Sequence, residues 1–403
     1  MKNTFIIGSG VSGLSSAFLL KEEGETCLTV LEKDNRIGGR AQTFTPNKSI
    51  VEVGTQYLAE TDVETIKLLR KIDDSIIFPE KQIQFSYIHK GKKYSAPTEL
   101  LQNISPVEKK QINQFFHNLY KADMGDLILQ QKLFNEWYVE NTGKESLWFF
   151  EGIIRATTTE STQISAWNGI NLLQAMLSKQ YSVKGGMVRA MEKIKDQLPY
   201  RTVQKNRCVT KFEVDADNVV EIILENGSSV SNTQQIISTL NANQLRQITP
   251  VKEYNILDKV KYTSSAYIYL QTKTPILDAH ENIAFADTTN PVVSVVNRST
   301  SKINQYGFLV MNPTWMKESD ERMYQKTIAN VAEFIDIKES EILAHRIFRW
   351  ENSLPILSPE LHQIQSQLDD LPLKNLIIAG DFTTFPSIEG AVISAQKAVR
   401  KIH

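Results

Sequence analysis

Two cysteines in 403 residues, Cys27 and Cys208, exclude a disulfide framework, and with no CxxC pair they exclude a redox dithiol as well. The six histidines (His89, His117, His280, His345, His362 and His403) are scattered without metal-ligand spacing, so each reads as structural or surface and no metal is expected. No apolar run approaches the ~20 residues of a membrane-spanning helix. A formal net charge of −1 gives no general attraction to nucleic acid or to an anionic membrane. The first residues run straight into a strand-like segment instead of a basic and apolar leader. Internal repeats and low-complexity tracts are missing too. These absences point to a cytoplasmic globular protein, which 41% hydrophobic and 23% charged residues fit. The length allows a large core and two domains.

What is present is concentrated near the start. Thr4-Phe5-Ile6-Ile7 reads as a strand, Gly8-Ser9-Gly10-Val11-Ser12-Gly13 as a glycine turn, and the run to Gly24 as a helix with Val11, Leu14, Ala17 and Phe18 on its apolar face. A second strand, Cys27 to Leu31, closes on Glu32. This is a βαβ unit built to hold a dinucleotide. Gly8 permits the sharp turn, Gly10 lets backbone approach a pyrophosphate, and Gly13 lets helix and strand pack closely. The helix aims its unsatisfied N–H groups and positive dipole end at that pyrophosphate. Glu32 stands about 20 residues past the glycines, where an acid accepts hydrogen bonds from ribose hydroxyls. A carboxylate there repels a 2′-phosphate, which disfavours NADP.

Further along, Val51-Glu52-Val53-Gly54-Thr55-Gln56-Tyr57 begins as a strand that Gly54 breaks. Gln84 to Lys93 reads as a hairpin turning at His89-Lys90-Gly91-Lys92. Pro106 to Ser178 is mostly helical, with Phe115, Phe116, Tyr120, Trp137, Tyr138, Trp148, Phe149, Phe150 and Trp167 at core-like spacing. Gly185-Gly186 opens an amphipathic helix through Met191, Ile194 and Leu198. Lys211 to Ser231 reads as a β-meander turning at Asn226-Gly227, followed by a strand over Gln235 to Leu240. Ala266–Leu270, Val292–Val296 and Phe308–Met311 are strand-like, and Glu321–Phe334 is helical. A buried strand ends at Ala379-Gly380-Asp381, and a helix starts near Ile388.

Gly8-x-Gly10-x-x-Gly13, Glu32, Arg36-x-Gly38-Gly39-Arg40, Glu52-x-Gly54 and Ala379-Gly380-Asp381 with Ile388-Glu389-Gly390-Ala391 follow in one order. That order resembles the FAD-dependent superfamily of flavin amine oxidases, protoporphyrinogen oxidases and phytoene-desaturase-like enzymes. The likeness covers both ends of the chain, Gly185-Gly186 and the meander, and is thin through 60–180 and 255–345. It implies an α/β fold: a three-layer, Rossmann-like FAD-binding domain with a parallel sheet plus β-meander, and a second, α+β substrate domain. The first would comprise residues 1–75, 181–254 and 350–403, the second residues 76–180 and 255–349.

The resemblance also assigns residues. Gly8, Gly10, Val11, Ser12 and Gly13 would hold the pyrophosphate, and Glu32, with Lys33 beside it, the adenosine ribose. Gly39 and Arg40 would lie along the pyrophosphate and ribityl chain, and Gly54, Thr55 and Gln56 against the isoalloxazine. Val209 matches a strand whose backbone holds adenine. Gly380 and Asp381 would serve the ribityl or phosphate side. The helix of Ile388 and Ala391 would aim its N–H groups at the flavin C2=O. No His or Cys stands in an attachment context, so the FAD would be non-covalent.

A second strand–GxGxxG–helix is missing, and so is a CxxxxC pair. Electrons are therefore expected straight from a substrate C–H, as hydride to flavin N5, with no obligatory protein base. Amine oxidases of this superfamily often sandwich substrate between two aromatics, one lying between the Gly-Asp and Glu-Gly-Ala motifs. Here Phe382-Thr383-Thr384-Phe385-Pro386-Ser387 is short and holds no Tyr or Trp. The usual flavin-facing Lys also has no counterpart, which favours a desaturase or dehydrogenase. Tyr57, Trp350 and Phe385 are the candidate catalytic-site residues, lining a pocket over the isoalloxazine between the 60–180 helices and the 255–345 sheet. The expected partner is a small apolar organic molecule, with no nucleic acid and no spanning segment, and the chain is expected as a monomer or homodimer. One alternative is a true amine oxidase yielding imine and hydrogen peroxide. Another is a flavin-binding protein with a non-catalytic, partner-binding role, against which flavin contacts retained at both chain ends argue.

Overall fold

The computed structural model describes residues 3–80, 84–95 and 97–402. The chain divides into two units, one of Met1–Pro79, Gln180–Lys261 and Glu360–His403, the other of Glu80–Lys179 and Tyr262–Pro359.

In the first unit, β1 (Thr4–Ile7) leads into α1 (Val11–Glu22) and β2 (Leu28–Leu31). Next come α2 (Val63–Ile72), α3 (Met187–Asp196), β3 (Val203–Gln204) and the meander β4 (Val209–Asp215), β5 (Asn218–Leu224) and β6 (Ser229–Ser231). The unit ends with β7 (Gln235–Ser238), β8 (Leu376–Ile378) and α4 (Ile388–Arg400). The strand order β3-β2-β1-β7-β8 is parallel throughout, with Thr4 opposite both Leu28 and Gln235 and Ile236 opposite Leu376. The sheet grows outward on both sides of β1, so its topological switch point lies beside the carboxyl end of β1. Open α/β sheets bind ligands there.

Sequence accounts for these elements locally. Thr4, Ile6 and Ile7 are buried in β1, as a central parallel strand requires. Leu14, Ala17, Phe18 and Leu20 of α1 join Val30, Met187, Met191, Ile237, Ile377 and Val392 in one core. Ser12, Ser15 and Ser16 are buried as well, and such small side chains let α1 pack closely against α4. The meander turns at Gly227 (φ +78°). It is fastened by the buried Asn375, whose Oδ1 accepts from Val219 N at 2.8 Å while its Nδ2 donates to Val219 O and Thr233 O.

The second unit carries a seven-stranded sheet ordered Ile342–Trp350, Ser265–Thr272, Asn304–Val310, Val292–Asn297, Glu281–Phe285, Gln84–His89 and Lys92–Tyr94. All pairs are antiparallel except Glu281–Phe285 with Gln84–His89. Its helices, among them Pro106–Leu119 and Leu147–Arg155, bury Phe115, Phe134, Tyr138 and Phe150, the Phe115 and Phe150 rings 4.3 Å apart. Tyr120 departs from the expected aromatic core. It caps the end of Pro106–Leu119 and is 66% exposed. Two strands that the sequence pattern did not mark, Glu281–Phe285 and Ile342–Trp350, complete the sheet. Among the described residues no helix is long and apolar enough to cross a membrane.

Candidate functional site

The glycine turn after β1 is fixed by contact. A Cβ on Gly13 would stand 2.0 Å from the carbonyl oxygen of Gly8, so only glycine lets α1 leave β1 this closely. Gly10 differs, because a Cβ there would meet no atom within 4 Å. Its missing side chain leaves open space above the N-terminus of α1. Gly39 lies against Gly10, and Gly38 bridges to it in parallel. At α1, the N-cap Gly10 offers no side-chain hydrogen bond and the first turn holds no acid. Four other helix starts of this unit are capped: α2 by Glu389, α3 by Glu52, residues 242–248 by Asn241 and α4 by Ser387. The first N–H groups of α1, on Val11, Ser12 and Gly13, thus keep their donors and dipole for an anion.

Glu32, at the end of β2, is buried. Its Oε2 accepts from Ser9 N (2.8 Å) and Ser9 Oγ (2.6 Å), and its Oε1 from Asp34 N (2.9 Å). A carboxylate has about four acceptor positions, so one remains for a ligand hydroxyl. Lys33 beside it is exposed. The segment leading to β4 runs along this acid. Glu32 N donates to Gln204 O, and Arg207 N to Glu32 O, two residues before Val209.

Arg40 and Asp381 meet through Nη2 and Oδ1 at 2.7 Å, Asp381 buried and Arg40 partly open. A Cβ on Gly54 would lie 1.8 Å from Arg40 O, so this glycine serves the close approach of two backbones. Thr55 N reaches the same carbonyl at 3.4 Å, and Gln56 Nε2 donates to Glu52 O and Gly54 O. The Gln56 amide nitrogen is therefore engaged by its own turn. Glu52 accepts from Met187 N and from Thr43 Oγ1, which accounts for its motif position by the cap it gives α3.

Gly380 N donates to Ser394 Oγ, and that hydroxyl also meets Ser12 Oγ at 2.9 Å. Ser394 thus joins α1, α4 and the Gly380 turn, with Gln365 holding Phe382 O and Thr384 O from outside. The sequence assigned no role to Ser9, Ser394 or Gln365, since nothing local marks a hydroxyl or an amide whose partners lie far along the chain. Ile388 and Ala391 are buried at the start of α4. Phe385 is half-buried, whereas Phe382 is core. Tyr57 belongs to this unit too. Trp350 belongs to the second unit, opposite Ser265 at the end of its strand.

Four of the histidines, His89, His117, His280 and His345, belong to the second unit. His89 stacks on Trp148, His345 on Tyr324, and His117 meets Lys121. Burial pulls His362 down to about 4, and His403 lies outside the described residues. Burial, with Glu225 nearby, pushes the Cys208 thiol up, away from thiolate chemistry. Among the described residues no three His, Cys, Asp or Glu side chains gather as a metal site.

Open space at Gly10, uncapped donors on α1, a buried acid beside them and a cation at Arg40 fit a dinucleotide: anion donors for phosphates and an acceptor for a ribose. Residues 11–403 match the family described as flavin containing amine oxidoreductase, and the chain belongs to it. It is 35% identical over 97 residues to a flavin-containing amine oxidase of Oncorhynchus mykiss, covering 23% of this chain and 18% of that protein. It is 37% identical over 93 residues to protoporphyrinogen oxidase 2 of Arabidopsis thaliana, covering 23% and 17%. The matched stretches span less than a fifth of those relatives' length. Putrescine oxidase, solved with putrescine bound, shares the fold with a TM-score of 0.79 over 100% of this chain and 98% of that one, at 16% identity. The family is one of FAD-dependent oxidoreductases, and FAD is the cofactor here.

Proposed function

We propose that this protein oxidises a small organic substrate by hydride loss from a C–H bond, on the desaturase and dehydrogenase side of its family. The observation that carries the cofactor half of this reading is the uncapped start of α1 beneath open space at Gly10, with Glu32 buried beside it. When bound, FAD would supply the electron acceptor for that hydride. The chain's own residues do the rest. Val11, Ser12 and Gly13 present N–H groups to the pyrophosphate, and Arg40 adds positive charge. Glu32 would accept a ribose hydroxyl, and Asp381, which holds Arg40 in place, would serve the ribityl or phosphate side. The N-terminus of α4 contributes the positive end of a dipole to the flavin.

The leaning against amine oxidation rests on the segment between Asp381 and Glu389. Phe382 is core, which leaves Phe385 as its one aromatic able to meet a substrate. It is a Phe, where the amine oxidase sandwich would be expected to take a Tyr or Trp from this segment. Tyr57 and Phe385 are the proposed substrate-facing residues of this unit.

Anaerobic mixing of the flavin-loaded protein with a substrate panel tests this reading. Bleaching of the flavin by an apolar C–H donor alone, slowed by deuterium at the oxidised carbon, is the expected result. A requirement for NADPH would overturn it. So would loss of bleaching on replacing a single histidine while FAD stays bound. Ammonia and hydrogen peroxide from primary amines would assign the amine oxidase reaction instead.

A further inference from the structure

Two buried carboxyl groups, Asp62 and Glu389, stand at the start of α2, and the one in the capping position does not cap. Asp62 is the N-cap residue of α2, yet its Oδ2 accepts from Ala59 N at 2.8 Å and its side chain makes no bond to the helix. The cap comes from Glu389 in the first turn of α4. Its Oε1 accepts from Glu64 N (2.8 Å), and its Oε2 from Thr65 N (2.8 Å) and Thr65 Oγ1 (2.7 Å). Asp62, Thr65 and Glu389 are all buried. The Glu389 carboxylate therefore clamps the beginning of α4 onto the beginning of α2.

The charged groups around these two acids are paired elsewhere. Among the described residues, Glu64 in the same turn is engaged by Lys67 and by Gln396 of α4, with Arg400 also acting on it. Lys193 of α3 pairs with Asp73 at the far end of α2, and Lys71 with Glu22 of α1. Beyond α4, Asp381 is paired with Arg40. Burial, reinforced by the charge on Glu389, pushes Asp62 up to about 7, against the hydrogen bond from Ala59.

We propose that Glu389 is the positioning residue for the N-terminus of α4 and that Asp62 is its proton-dependent counterpart. With Asp62 protonated, the pair carries one charge, and Glu389 holds both helix starts together. Ionisation of Asp62 puts two carboxylates into one buried site. Their repulsion loosens the end of α4 that the proposed function assigns to the flavin. FAD affinity then falls as pH rises through neutrality. This inference rests on that functional reading, and its test separates the two.

The flavin-stripped full chain is titrated with FAD at about pH 6 and about pH 8, as the unaltered protein and as Asp62→Asn and Glu389→Gln, and each is also melted without FAD. The unaltered protein is expected to lose roughly tenfold in affinity between the two pH values, and Asp62→Asn less than about threefold. Glu389→Gln keeps one amide oxygen for the α2 cap but removes the charge. It is expected to bind more weakly at both pH values, with a flattened slope. In the melts, the folded state binds the Asp62 proton more tightly than the unfolded one. The unaltered protein should therefore lose stability relative to Asp62→Asn as pH rises from about 4 to about 7. A relative stability that does not change with pH overturns the acid pair. Melts that diverge as expected, with FAD slopes equal in all three proteins, overturn its link to α4. FAD binding to none of them at any pH overturns the functional reading, while the melts still judge the pair. If Asp62→Asn fails to fold, the slope of Glu389→Gln against the unaltered protein decides.

Discussion

Arg40 and Asp381, 341 positions apart, form an ion pair of 2.7 Å. One follows the glycine pair Gly38-Gly39, the other the turn at Gly380, so the early and late parts of the chain are joined by charge. Asp381→Asn should weaken FAD binding by about 1.5–3 kcal/mol, roughly 10- to 100-fold in Kd. Fluorescence titration of the stripped protein measures it, and an unchanged Kd would remove Asp381 from the site.

Gly10 and Gly13 should separate binding from folding. Gly13→Ala drives a Cβ into Gly8 O and should cost more than about 2 kcal/mol of stability with or without FAD. Gly10→Ala meets no protein atom within 4 Å and should change flavin-free stability by less than about 1 kcal/mol. It should nonetheless weaken FAD binding by at least about tenfold, or about 1.4 kcal/mol. Equal FAD affinity in Gly10→Ala would show that the open space is not where the cofactor lies.

Glu32→Ala should act twice. It removes a ribose acceptor, for about 1.5–3 kcal/mol in FAD binding, and it strands Ser9 N, Ser9 Oγ and Asp34 N. Ser9→Ala removes one donor and leaves the acid in place, so it should lower the melting temperature with a smaller effect on Kd. If Ser9→Ala matched Glu32→Ala in affinity, the acid would be a strand-end brace and no ligand for ribose.

His362 supplies a pH dependence of opposite sign to that of Asp62. Burial holds its folded-state value at about 4, below the usual 6.5, so the unfolded chain binds the proton more readily. Its contribution is complete above about pH 6.5 and is lost as pH falls toward 4. His362→Gln should therefore lose less stability than the unaltered protein on acidification, by at most about 3 kcal/mol. Parallel acid melting curves would contradict this.

The dinucleotide half of the fold was legible because its signals are local. Gly8 to Gly13 sit between an apolar strand and an apolar helix face, and Asn226-Gly227 follows the β-branched run Val219 to Ile223. The second unit's sheet was legible only in part. Ile342–Trp350 is an edge strand whose His345, Arg346 and Arg349 break the apolar alternation. Glu281–Phe285 begins on a buried acid satisfied by Ser86 and Lys93, which reads as loop until those partners are known. The caps on α2 and α3 come from Glu389 and Glu52, far away in the chain, so no window of sequence contains both halves of either bond. Tyr120 has the spacing of a core aromatic but falls just past its helix, where the periodicity no longer applies.

Asn375, the clamp between meander and sheet, implies an order of events during synthesis. It directly precedes β8, and α4 follows, so the dinucleotide-binding unit lacks its last strand until a ribosome has delivered residues from all three of its segments. Until then β7 has an unpaired edge and α2 lacks the Glu389 cap. The nascent chain would carry that open parallel edge through the translation of residues 262–359, which complete the second unit. Parallel edges held open are where chains associate wrongly. Speed of elongation through residues 262–359 should therefore govern yield of soluble protein more than the stability of the finished fold does.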